Sequence, residues 1–125
     1  MKIHSCLICI GSNTNKKENV KTAHKELQEL FPDIMFGREM LTTPLYFKSN
    51  PEMFINQLGV FHTSMSVEEI KFHFRSIEVQ AGRLPSDKEK EIVKLDIDIL
   101  MYDKEILKSK DMLRDYIKTG VKELL

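Results

Sequence analysis

The chain has 125 residues, 42% of them hydrophobic, and its 19 Lys and Arg are balanced by 19 Asp and Glu. That is one domain's worth of chain with enough apolar content for a core. Zero net charge argues against a nucleic-acid or anionic-membrane surface, and no apolar run approaches the roughly 20 residues that a spanning helix needs. No repeat, low-complexity tract or linker divides the sequence, so residues 1–125 read as a single domain.

Ile3 to Ile10 reads as a buried strand ended by Gly11-Ser12-Asn13. Cys6 and Cys9 lie inside it, three apart and so on opposite faces. With no second Cys pair, no ligand spacing among the four histidines and no secretory signal ahead, they are expected to be reduced and buried, which fits the cytoplasm. A helix follows from about Lys16, with Val20, Ala23, Leu27, Leu30 and Phe31 at helical spacing and Asn15 and Glu18 as its capping pair. Pro32 breaks it. Ile34 to Thr43 is a second strand marked by Gly37, and Thr43-Pro44-Leu45 opens a loop that runs to Pro51.

Phe54 to Thr63 is the third strand. Ser66 and Glu69 form a capping box for a helix whose buried stripe is Val67, Ile70, Phe74, Ile77 and Ala81, and Gly82 stops it. A charged loop covers 83–91. A strand comes next, and Ser109 to Leu125 reads as a final helix. Strand, helix, strand, strand, helix, strand, helix is the order of an α+β ferredoxin-like sandwich: an antiparallel four-stranded sheet (βαββαβ) with helices packed on it plus a C-terminal helix.

The fourth strand carries the chemistry. Leu95, Ile97, Ile99 and Met101 alternate and are expected on one face; Asp96 and Asp98 then share the other. Same-face positions lie roughly 6.6 Å apart, so two carboxylates there can converge on hard, oxygen-seeking cations that clamp a polyphosphate. A plain half-exposed strand accounts for the alternation equally well, although Asp is disfavoured in strands and neighbouring acids repel.

Five pieces in order carry a resemblance: Ile10-Gly11-Ser12-Asn13, Thr43-Pro44-Leu45, Phe54-Ile55-Asn56, Ile77-Glu78 with Gln80, Gly82 and Arg83, and Leu95-Asp96-Ile97-Asp98-Ile99-Leu100. Together they make the chain similar to the hydroxymethyl-dihydropterin pyrophosphokinases of folate biosynthesis. The resemblance implies transfer of pyrophosphate from ATP to 6-hydroxymethyl-7,8-dihydropterin, with release of AMP. It implies that Asp96 and Asp98 hold two magnesium ions, and that Asp96, Asp98 and Arg83 form the catalytic set. Thr43, Pro44, Leu45, Phe54 and Asn56 would bind the pterin, and Glu78, Arg83 and Lys94 the ATP. The implied partners are ATP and the reduced pterin, with the protein a monomer or weak homodimer.

Two departures from the family pattern stand in the sequence. Val93 occupies the place of a usual arginine, with Lys88, Lys90 and Lys94 as the nearby cations. The C-terminal part reads as a short form, with no clear counterpart of the aromatic that covers the pterin's other face. Two further readings therefore stay open: a weak or inactive relative that binds pterin or nucleotide, and a small protein-interaction domain.

Overall fold

In the computed structural model, which describes residues 2–124, the first apolar run becomes β1 (His4–Ser12). Alternation sends Cys6, Ile8 and Ile10 to one face and Leu7 to the other, and all four are buried. Helices α1 (Lys16–Leu30) and α2 (Val67–Gln80) cover the first face. Their Val20, Ala23, Leu27, Ile70, Phe74 and Ile77 pack on Cys6, Ile8, Ile10 and Phe61. This is the main core, and its burial is the chief driving force for the sheet.

β1 lies between β4 (Phe54–Thr63) and β5 (Asp96–Tyr102), antiparallel to both. The expected strand over 34–43 is broken into β2 (Met35–Phe36) and β3 (Met40–Thr42), both antiparallel to β4. Phe36 faces Gly59 and Met40 faces Asn56, so residues 37–39 oppose only 57 and 58. That extra residue is a bulge. The Gln57 side chain stabilises it by donating to the Gly37 carbonyl at 2.7 Å.

A two-residue turn after β5 adds β6 (Glu105–Ile106). The expected four-stranded ferredoxin-like sheet is therefore six-stranded among the described residues, in the order β2-β4-β1-β5-β6 with β3 beside β4. What holds is the antiparallel sheet, its place between helices and the terminal helical segment. That segment is two helices, α3 (Ser109–Met112) and α4 (Asp115–Leu124), broken at Leu113-Arg114, where Arg114 turns to Asp111 at 3.2 Å and to the Tyr116 hydroxyl at 3.1 Å. Leu125, the expected last residue of the helix, lies outside the described residues.

The second sheet face carries Leu7, Leu58 and Leu100, covered by Ile117 of α4. Met101 packs here too, contrary to the expectation that it joins Leu95, Ile97 and Ile99. The cause is a second bulge: Leu7 faces Met101 and Ile8 faces Ile99, so Leu100 is the extra residue and the alternation flips after it.

The Ser66–Glu69 capping box forms as expected, and Gly82 ends α2 with φ +99°. The Asn15 cap does not. Asn15 is left-handed with no side-chain cap bond, and Asn19 instead reaches back to the Thr14 carbonyl at 2.7 Å.

α4 can approach β4 because position 120 has no side chain. A Cβ on Gly120 would lie 2.7 Å from Leu58 Cδ1 and 3.2 Å from Met40 Cε. Overpacking costs roughly 1–3 kcal/mol, more than the ~1 kcal/mol that alanine returns as a helix former. Gly120→Ala is expected to lower the melting temperature, and to lower it less in a Leu58→Ala background than in wild type; an unchanged melting temperature for Gly120→Ala disproves the close contact.

Candidate active site

Ile97 and Ile99 are buried against the helices, so Asp96 and Asp98 stand on the opposite face of β5. Their cross-strand partners are Gly11 and Cys9 of β1, and beyond these come Asn56 and Leu58 of β4. Two rows thus cross the sheet, Asp96–Gly11–Asn56 and Asp98–Cys9–Leu58. Gly11 keeps the floor of the first row open, since a Cβ there would sit 3.1 Å from Asn56 Oδ1.

Above this floor lies a cavity of about 210 Å³. One wall is the 43–53 loop with Thr43, Leu45 and Phe47, joined by Phe54; the Phe47 and Phe54 rings are 5.8 Å apart. Another is the turn between α3 and α4 with Asp111, Arg114, Tyr116 and Ile117. Thr43, Leu45, Phe54, Asn56, Asp96 and Asp98, all expected from the sequence, come together here. Pro44 shapes the loop but is not part of the lining. Asn56 Nδ2 donates to Thr42 Oγ1 at 2.5 Å, which fixes the amide and leaves Oδ1 as an acceptor on the floor.

Sequence reasoning missed Phe47, Arg114 and Tyr116. The resemblance left one pterin face without an aromatic, and Tyr116 now lines that cavity. The Asp115-Tyr116 pair was visible, but no local signal says that α4 crosses the sheet beside the aspartates.

The carboxylates strain against each other. The Asp98 carboxyl is pushed up to about 7, first by burial and next by the charge of Asp96. Lys108 Nζ, 3.9 Å from Asp98, and Arg83 Nη1, 3.3 Å from Asp96, offset this in part. Among the described residues no group of three or more His, Cys, Asp or Glu side chains is arranged to hold a metal. Two adjacent carboxylates nevertheless suit Mg²⁺, which keeps several waters and binds through one or two carboxylates plus substrate phosphates. Cys9, also in the lining, is a free thiol pushed far up by burial, then by Asp98 and Asp96.

Glu78 sits beneath β5, only 1% exposed. Its carboxylate accepts from the Ile97 N–H at 2.9 Å, Arg75 at 3.1 Å and Arg83 at 2.8 Å. It thus satisfies an edge-strand donor and aims Arg83, which bridges Glu78 and Asp96. Lys94 donates to the Gly82 carbonyl at 2.7 Å and pairs with Asp87 at 3.3 Å, so its contacts are within the 82–94 segment.

A smaller cleft of about 110 Å³ opens beside the free edge of β5. Lys71, Arg75 and Lys108 give it positive charge, and Phe74, Ile99 and Leu107 an apolar base. Asp98 borders this cleft and the large cavity alike.

No helix among the described residues is long and apolar enough to cross a membrane. Comparison with the curated proteins finds no match. The family model for 7,8-dihydro-6-hydroxymethylpterin-pyrophosphokinase matches residues 7–124, nearly the whole chain and every residue that lines the large cavity, so the chain belongs to that family.

Proposed function

We propose that the protein transfers the pyrophosphoryl group of ATP to the hydroxyl of 6-hydroxymethyl-7,8-dihydropterin in the cytoplasm. The hydroxyl oxygen loses its proton to solvent and bonds to the β-phosphorus, the bond from that phosphorus to the oxygen bridging the α-phosphate breaks, and AMP leaves with that oxygen. The observation that carries this reading is Asp98, shared between an aromatic-walled cavity and a cation-lined cleft. Such a position suits a reaction in which two substrates meet.

The flat ring takes the large cavity. Phe54 and Tyr116 offer aromatic faces, Asn56 Oδ1 accepts from a ring N–H, and Thr43 with Leu45 closes the side. ATP takes the smaller cleft, where Lys71, Arg75 and Lys108 attract its phosphates and Arg83, held by Glu78, stands over the transferred group. Transfer of this kind depends on positioning and charge stabilisation more than on covalent help. Two magnesium ions at Asp96 and Asp98 would neutralise the phosphate oxygens and polarise the attacking hydroxyl.

The test is AMP release from ATP. It should need both the reduced pterin and magnesium, and Tyr116→Ala should raise the pterin KM by roughly tenfold, the worth of a stacking face at ~1 kcal/mol or a little more. Pterin-dependent thermal stabilisation without AMP would leave a binder in place of an enzyme.

A further inference from the structure

Glu91 has φ +57°, a left-handed conformation that favours glycine. Its carboxylate accepts from three successive main-chain N–H groups: Lys48 at 2.7 Å on Oε2, then Ser49 at 2.7 Å and Asn50 at 2.9 Å on Oε1. The Ser49 hydroxyl adds a fourth bond at 2.9 Å. Charge-assisted bonds of this sort are about twice as strong as neutral ones. They hold the Glu91 carboxyl down to about 2, the Lys48 N–H contributing most, so the side chain stays ionised in any ordinary buffer.

The main chain of Glu91 is also engaged. Its carbonyl accepts from Asn50 Nδ2 and from Asn13 Nδ2, both at 2.9 Å. Asn13, buried just past β1, exchanges two bonds with Val93, at 2.8 Å and 2.7 Å. One residue thus joins the 43–53 loop, the 83–94 loop and the end of the central strand. The first of these loops brings Thr43, Leu45 and Phe47 to the cavity, and residues 43–53 belong to no strand. Lys16 secures its far end through Glu52 and the Met53 carbonyl.

We propose that Glu91 is a positioning residue: it staples the 43–53 loop to the 83–94 loop and holds the ring-binding wall in place before any ligand arrives. Its role in pterin affinity rests on the function proposed above; the staple itself does not. Prepaying the ordering of the loop in this way strengthens binding of the ring without touching the reacting atoms.

The experiment is amide hydrogen exchange on the full, ligand-free chain for wild type, Glu91→Gln and Glu91→Gly. Glycine accepts the left-handed backbone, so the Gly variant loses the carboxylate and keeps the turn. Exchange at Lys48, Ser49 and Asn50 should quicken by roughly tenfold or more in Glu91→Gly and by less in Glu91→Gln, with β1 and β4 unchanged. The pterin KM should rise by about tenfold in Glu91→Gly, with kcat within about twofold and the ATP KM unmoved, because a bound ring holds the wall by itself. Unchanged exchange at residues 48–50 overturns the staple, and a fall in kcat with the pterin KM unmoved overturns its role in pterin affinity. Faster exchange in a protein whose wild type releases no AMP upholds the staple and removes the enzymatic reading.

Discussion

Asp96→Ala and Asp98→Ala should each cut pterin-dependent AMP release by at least roughly 10³-fold, equivalent to about 4 kcal/mol of transition-state stabilisation. Stability should move the other way. The folded Asp98 carboxyl titrates near 7, above its ordinary 3.8, because burial and then Asp96 disfavour its charge. The folded protein therefore binds that proton more tightly than the unfolded chain. Stability falls as pH rises from about 4 to about 7, and above 7 the ionised group is fully destabilising. Asp98→Asn removes the penalty. In EDTA it should melt higher than wild type at pH 8 and close to it at pH 4. Magnesium should raise the melting temperature of wild type more at pH 8 than at pH 6, since binding requires the deprotonated pair. An Asn variant that melts below wild type at pH 8 in EDTA would disprove the charge penalty on Asp98, and one that keeps full turnover would remove the cation-binding role of the pair.

The largest stability loss should come from Glu78→Ala, a residue the resemblance implied for ATP binding. Its carboxylate is almost fully buried and carries three bonds, to the Ile97 N–H, Arg75 and Arg83. Truncation leaves a buried strand-edge donor unpaired and removes the anchor from Arg83. An unsatisfied buried N–H costs about 1–3 kcal/mol and the packing lost with the side chain adds to it, together roughly 5–15 °C in melting temperature for a chain of this size. Arg75→Ala should cost under about 1 kcal/mol, because that guanidinium is mostly exposed. Arg83→Ala should likewise leave the fold intact while slowing turnover, since Arg83 faces Asp96. Denaturant titration of the three variants separates these effects. A Glu78→Ala protein within 1 kcal/mol of wild type would show that Glu78 does not anchor β5.

Much of this arrangement was legible in the sequence where local rules and packing agree. The apolar run of β1, the Ser66–Glu69 box, the Gly82 stop and the Asp-Ile-Asp alternation each follow from one local rule, and each is found where expected. The failures share another cause. Gly37 suggested an irregular strand, but the bulge at 37–39 depends on the Gln57 side chain, more than 15 residues away. Leu100 looks like any strand leucine, and only its pairing with β1 makes it the extra residue that turns Met101 over. The division of the last helix follows from Arg114 reaching Asp111 and Tyr116. In the site, Phe54 and Asn56 were found through the resemblance carried by Phe54-Ile55-Asn56, since the strand register alone does not set them apart from core and surface residues. Phe47, Arg114 and Tyr116 were not, because loop closure and the crossing of α4 bring them in. Glu78 was singled out as a residue for ATP, yet its contacts are with β5 and two arginines.

The thiol of Cys9 is held in its protonated form first by burial and then by the charges of Asp98 and Asp96. Peroxides and alkylating electrophiles react with thiolates, so this sulfur offers them almost nothing at neutral pH. It serves as soft, polarisable filling under the ring pocket. The cavity thus carries a sulfur atom directly in its floor without offering a ready thiolate to oxidants.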